Sequence, residues 1–334
     1  MKVLSLFDGM SCGQIALNRL GIKVDKYYAS EIDKYAIQIT QKNYPDTIQV
    51  GDITKLNPND FKDIDLIMAG SPCQGFSFAG KQLAFDDPRS ALFFEFIRLL
   101  KAIKPRYFLL ENVRMKKEYL EVITEQVSQC YPNQGNDLFK NRLEPILINS
   151  ALVSAQSRRR YYWTNIPRIK QPEDRGIVLR DILETSTDEK PVKDTERNQS
   201  HYRNTDDKAL CMTATMYKGA GNNGMTLVPQ KPKQVGVAID IKGHEQIKRV
   251  YSPDGKSPTV TTCGGGHREP KIITSNYHWR KLTPLECERL QTAPDNYTEG
   301  VSNTQRYKML GNGWTVDVIC HILKNMETNN EQSF

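Results

Sequence analysis

The feature that most constrains this chain is an alternation, through its first 165 residues, of short apolar runs with longer helical periods. VLSLF (3–7) is followed by a helical stretch from about Gly13 to Leu20 closed by Gly21. KYYAS (26–30) is followed by a helix opening at Asp33. Further strand candidates are TIQV (47–50), DLIMAG (65–70), YFLLEN (107–112), EPILINSALV (144–153) and RYYWTN (160–165), with helices near 90–101 and 116–129. Strands that alternate with helices bury both faces and pair in parallel through crossover helices. A doubly wound α/β sheet is therefore expected.

After Pro167 the texture changes. The stretch to about Ser275 is rich in Thr, Gly, Lys, Asp and Pro, and its short β-like pieces suggest a smaller, irregular, β-rich lobe. Two segments inside it are loosely alike, KALCMTATMYKGAGNNG (208–224) and KSPTVTTCGGGHREP (256–270), which leaves an internal duplication and a low-complexity coincidence both open. Helical periods return at TPLECERLQ (283–291), with Thr283 as cap and Pro284 at the first helical position, and again after GNGW (311–314). The expected division is 1–166 for a catalytic and cofactor-binding domain, 167–277 for a recognition domain, 278–327 for helices returning to the first domain, and 328–334 for a flexible tail. With 334 residues, 38% of them hydrophobic, the chain can bury one substantial core and a second lobe.

Seven scattered cysteines, without a Cys-x-x-Cys pair, predict neither a disulfide framework nor a metal site. A formal charge of +7 favours a polyanionic partner, as it does in many soluble proteins. No apolar run approaches the roughly 20 residues that cross a bilayer, so no membrane partner and a cytoplasmic location are expected.

Three strings carry chemistry. FDGMSCG (7–13) joins the first strand to the first helix, where a glycine turn and free helix N–H groups can receive a polar ligand. Glu31 ends the second strand, where a carboxylate can accept ribose hydroxyl protons, and Asp52 follows the third, placed for an adenine amino group. Each alone is compatible with a plain turn or a solvated cap. Together, without the tighter G-x-G-x-x-G turn of a dinucleotide site, they favour a single adenosine-bearing ligand such as S-adenosylmethionine. SPCQGFS (71–77) puts Cys73 in a loop beyond the fourth strand, where it is either a buried inert thiol or a nucleophile. Glu111, in ENV (111–113), would project over the same sheet edge as an acid partner. AQSRRR (155–160) sets Gln156, Arg158 and Arg160 on one strand face.

In this order, FDGMSCG, Glu31, Asp52, SPCQGFS, ENV, QSRRR, RKLTPLECERLQ (280–291) and GNGWTV (311–316) resemble the DNA cytosine carbon-5 methyltransferase family across nearly the whole chain. Ser11 and Cys12 replace two glycines of the family's commoner first loop. That loop, with Asp8, is closer to animal de novo enzymes, whereas SPCQGFS and QSRRR look bacterial or phage-like. The resemblance implies a Rossmann-like S-adenosylmethionine-dependent sheet with a variable target-recognition region. Phe7, Gly9, Glu31, Asp52, Ile53, Pro72 and Asn312 would line the cofactor pocket, with Asp8, Ser11, Ile32 and Trp314 as further candidates in the same motifs. Cys73 would be the nucleophile, and Glu111 would hold and protonate ring nitrogen 3 of a flipped cytosine. Arg158 and Arg160, with Gln156 beside them, would bind the base and position the Cys73 loop. Gly219–Gly224 and Gly264–Gly266, with Lys218, His267 and Arg268, are candidate groove-entering elements. The implied partner is double-stranded DNA, met by a monomer, with a cognate restriction endonuclease as a further candidate. A tRNA cytosine methyltransferase, a silent DNA-binding scaffold and a small-molecule methyltransferase are the competing readings.

Overall fold

The computed structural model describes residues 1–71, 88–132, 142–184, 190–191, 234–238, 240–260, 268–273 and 278–326. Its larger sheet is built from β1 (Lys2–Leu6), β2 (Lys26–Ser30), β3 (Ile48–Gln49), β4 (Leu66–Gly70), β5 (Tyr107–Val113), β6 (Ile146–Asn149) and β7 (Arg159–Thr164), in the spatial order β3-β2-β1-β4-β5-β7-β6. Burial along the strands shows why the apolar runs are continuous. Val3, Met68 and Leu109 pack into one core with α1 (Cys12–Arg19), α2 (Lys34–Asn43) and α8 (Val316–Leu323). Their neighbours Leu4, Ala69 and Leu110 pack on the other face with α3 (Pro88–Ile103) and α4 (Lys117–Ser128). Successive side chains point to opposite faces, so a strand covered by helices on both sides must be apolar at every position.

The parallel expectation holds for β3, β2, β1, β4 and β5. It fails at β7, which runs antiparallel to both β5 and β6. Only a short 3-10 turn, Ser150–Leu152, and a few further residues separate β6 from β7. A parallel crossover takes a dozen residues or more, so the chain must turn back as a hairpin-like connection. This reversal has a functional result, because the amino end of β7 now lies at the carboxyl edge of the parallel strands.

The second sheet has the order β8-β12-β11-β10-β9, from Lys190–Pro191, His278–Lys281, Lys271–Ile273, Arg249–Tyr251 and Gln234–Val237. β12 extends it past residue 277. A single turn, α5 (Glu245–Lys248), leads into β10. α6 (Pro284–Leu290) starts at a reciprocal cap: the Thr283 hydroxyl accepts from the Glu286 N–H at 3.2 Å, and the Glu286 carboxylate accepts from the Thr283 N–H at 2.8 Å. α7 (Asn303–Asn312) is not legible in the sequence, because only Met309 and Leu310 in it are buried and no apolar period marks it. No helix among the described residues is long and apolar enough to cross a membrane.

Candidate active site

The strand order reverses between β1 and β4, and the crevice beyond the carboxyl ends at such a point is where ligands of these sheets sit. A cavity of about 370 Å³ opens there, walled by the loops after β1, β2, β3 and β4, by the end of β5, and by α7 with the segment that follows it.

The loop after β1 is held in an unusual backbone conformation, with φ of 57° at Phe7, 59° at Gly9 and 59° at Ser11. Glycine takes this region freely, but Phe and Ser do so at a cost, which local hydrogen bonds must offset. Asp8 supplies them: its carboxylate accepts from the Ser11 hydroxyl and, at 2.8 Å, from the Tyr27 hydroxyl. The Gly9 N–H donates to the Glu31 carboxylate at 2.8 Å. Glu31 also accepts from the N–H groups of Ile32 and Asp33 at 2.7 and 2.8 Å, so its carboxylate is fixed against the cavity wall by three backbone donors. Ile32 beside it is 78% exposed, an apolar side chain uncovered on that wall. Asp52 caps the turn after β3, accepting from the Thr54 N–H and hydroxyl at 3.0 and 2.9 Å, and these bonds hold its carboxyl below the usual range. Ile53 and Asn312 also line the cavity. Trp314 closes one side against Gly70, where any Cβ would stand 2.8 Å from the indole Nε1, so only glycine lets the ring approach the end of β4.

Burial lifts the Asp8 carboxyl to about 6 from the ordinary 3.8, against hydrogen bonds from Ser11, Ser5 and Tyr27 that lower it. A carboxyl that binds its proton more tightly folded than unfolded favours the fold when protonated. Its contribution is therefore present below about pH 4 and is lost as the pH rises through about 6, a swing of about 3 kcal/mol at 1.4 kcal/mol per unit. Asp8→Asn is expected to remove most of this slope in thermal melts across that window. A variant that melts with the wild-type pH dependence would show that Asp8 does not titrate there.

At the other end of the cavity Glu111, buried on β5, lies 3.0 Å from the Arg160 Nε on β7. The antiparallel register places Arg160 opposite Val113, and the parallel register sets Glu111 opposite Gly70 of β4. Asn112 donates to the Ser71 hydroxyl at 3.0 Å and pins the chain as it leaves β4 toward Cys73. Pro72 and Cys73 lie outside the described residues, as do Lys218, Gly219–Gly224, Gly264–Gly266 and His267.

Two sequence candidates stand apart from the cavity lining. Ser11 is fully buried and binds Asp8 and, at 3.0 Å, Thr40. Gln156, also fully buried, receives the Val260 N–H at 2.8 Å and donates to the Leu290 carbonyl at 3.2 Å. Arg158 does border the cavity, but its guanidinium is spent on backbone carbonyls, 3.2 Å from Gly311, 3.0 Å from Gly313 and 3.4 Å from Val260. Burial first, and the charge of Arg160 second, push it down to about 10, which leaves it cationic at neutral pH. Sequence reasoning missed Lys308, which lines the cavity from α7 and donates to Asp33 at 2.6 Å. It also missed Asn112, whose only signal was its place in ENV.

The chain matches the family model described as C-5 cytosine-specific DNA methylase over residues 1–328. It is 27% identical to the orphan methyltransferase M.Rho11sI of Bacillus phage rho11s over 491 residues, covering 98% of this chain and 97% of that protein. With the type II methyltransferase M.NlaX of Neisseria lactamica it shares 31% identity over 332 residues, 98% and 96% of the two chains. Among solved structures, DNMT2 of Spodoptera frugiperda has a TM-score of 0.64 at 20% identity over 97% of this chain and 98% of that one, a likeness of fold. A family match over nearly the whole length, on a sheet that brings residues of FDGMSCG, ENV, QSRRR and GNGWTV to one cavity, establishes that this chain belongs to the C-5 cytosine-specific DNA methylase family.

Proposed function

We propose that this protein methylates carbon 5 of a cytosine flipped out of a short specific sequence in double-stranded DNA, with Cys73 as the nucleophile. The observation that carries this reading is the pair of buried Glu111 and half-buried Arg160 at the rim of the cavity, in register with the strand that leads to Cys73.

The cavity suits S-adenosylmethionine. Glu31, anchored by three N–H groups, presents a fixed acceptor for ribose hydroxyls, and Asp52 a second acceptor. Ile32, Phe7 and Trp314 offer apolar surface for a base. When bound there, the cofactor supplies an electrophilic methyl group.

Cytosine carbon 5 is too weak a nucleophile to take that methyl unaided. Addition of the Cys73 thiolate at carbon 6 makes an enamine of the ring, with negative charge developing toward nitrogen 3. Glu111 holds and protonates that nitrogen, and Arg160 keeps the carboxyl in place and adds positive charge beside it. Loss of the carbon-5 proton and departure of the thiolate then restore the aromatic ring. None of these atoms is reachable in a stacked duplex, so the base must leave the helix, at a few kcal/mol. Residues 167–277 form the recognition domain in this reading, with Arg268 and the adjoining Gly-rich loop as groove-entering elements.

Expression in a host without cytosine methylation, followed by base-resolved mapping of 5-methylcytosine, tests the proposal. Methylation confined to one short motif is expected. Unmodified host DNA from a folded chain that binds S-adenosylmethionine would instead point to RNA or to a silent scaffold.

A further inference from the structure

Val260 is the last described residue before the Gly-rich recognition loop, and both polar groups of its backbone are held by side chains from the segment entering β7. Its N–H donates to Gln156 at 2.8 Å, and its carbonyl accepts from Arg158 at 3.4 Å. From these two side chains, hydrogen bonds run to one place by two routes. Arg158 continues to the carbonyls of Gly311 and Gly313. Gln156 donates to Gln291 at 3.3 Å; Gln291 donates to the Leu310 carbonyl at 2.7 Å and accepts from the Thr315 hydroxyl at 2.9 Å. Both routes end in 310–315, the segment that carries Asn312 and Trp314 into the cofactor cavity. Gln156 and Gln291 are fully buried, and Thr315 and Arg158 nearly so.

A buried network of this kind is stiff, because moving one member strands its partners without hydrogen bonds away from bulk solvent. We propose that Gln156, Arg158 and Gln291 form a buried relay that couples occupancy of the cofactor cavity to the position of the recognition segment at Val260, so that cofactor and cognate DNA bind cooperatively. The three are positioning residues. A ligand packed on Trp314 and Asn312 favours one placement of 310–315, and the relay carries that preference to Val260. Coupling of this kind is reciprocal, so DNA must tighten cofactor binding by the same factor. The inference rests on the proposed function, which supplies the two ligands.

The test is titration calorimetry of the full chain with S-adenosylhomocysteine, alone and saturated with a short duplex carrying the motif mapped in the host. The wild type is expected to bind the nucleoside about tenfold more tightly with the duplex present, within the usual range of such couplings. Arg158→Lys keeps the charge but cannot span three carbonyls, and Thr315→Val removes one hydroxyl and guards against a misfolded Arg158 variant. Both are expected to bring the ratio toward one while each folded variant still binds the nucleoside. A merely structural role would weaken single affinities and leave the ratio alone. A wild-type ratio of one, or a ratio unchanged in both variants, overturns the relay. A chain that methylates no motif overturns the functional reading instead, and does so before the titration begins.

Discussion

Cys73→Ser is expected to abolish methyl transfer, with kcat reduced on the order of 10⁴-fold or more, while S-adenosylhomocysteine binds within about twofold of wild type. The difference between the two side chains is one of ionisation. A thiol with an ordinary pKa near 8.5 is partly thiolate at neutral pH, and a positive group nearby increases that fraction, whereas a serine hydroxyl stays protonated and the ring carries no strong electrophile to meet it. Cofactor binding is expected to be spared, because the cavity proposed to hold the cofactor is walled chiefly by the loops after β1, β2 and β3 and by α7 with the segment that follows it. The decisive measurement pairs a single-turnover methylation assay with calorimetry. A second readout follows from the chemistry: with fluorine at carbon 5 of the target base, the ring cannot lose that substituent as a proton, so wild-type protein should stay covalently attached to the duplex. Turnover retained by the serine variant, or an adduct formed by it, would sink the nucleophile assignment.

Glu111→Gln is expected to lower kcat by about 10²- to 10⁴-fold, the usual range for loss of a positioned acid. The amide still donates to ring nitrogen 3, but it cannot release a proton to it. One competing effect needs separation. Glu111 is buried against Arg160, and breaking a buried pair typically costs about 3–5 kcal/mol because the surviving charge has no partner. Here Arg160 keeps a hydrogen bond at 2.9 Å to the Arg159 carbonyl, so the lower end of that range is expected. Thermal melting reads this stability loss, and kcat at saturating cofactor and DNA reads the chemistry. If the variant proves less stable but turns over at the wild-type rate, Glu111 is a structural partner of Arg160 and nothing more.

The two assignments differ in how they could be found. Glu111 sits at the end of a continuous apolar run, YFLL, so its place at the carboxyl edge of β5 follows from strand periodicity alone. Its partner does not. Arg160 meets Glu111 because β7 runs backwards, a reversal that shows in the short connection from β6 and not in the residues of RYYWTN themselves. The expectation that QSRRR shows one face to a ligand was likewise only partly informative. Arg160 borders the acid, but Gln156 and Arg158 turn to carbonyls and N–H groups more than 100 positions away in the chain. Ser11 shows the same limit on a smaller scale: read as a residue of the cofactor loop, it turns inward and holds Asp8 in the bend that shapes that loop.

From the sequence by itself came what depends on neighbours along the chain. The strands appear as apolar runs because both sheet faces are covered, the cap at Thr283 is marked by Pro284 directly after it, and the motifs are short strings in a fixed order. Only the tertiary structure decided the placing of α7 over the cavity and the buried polar bridge from Val260 to Gly313. The reason is physical: a buried hydrogen bond is set by which donor finds which acceptor once water is excluded, and that pairing leaves no periodic trace in the residues between them.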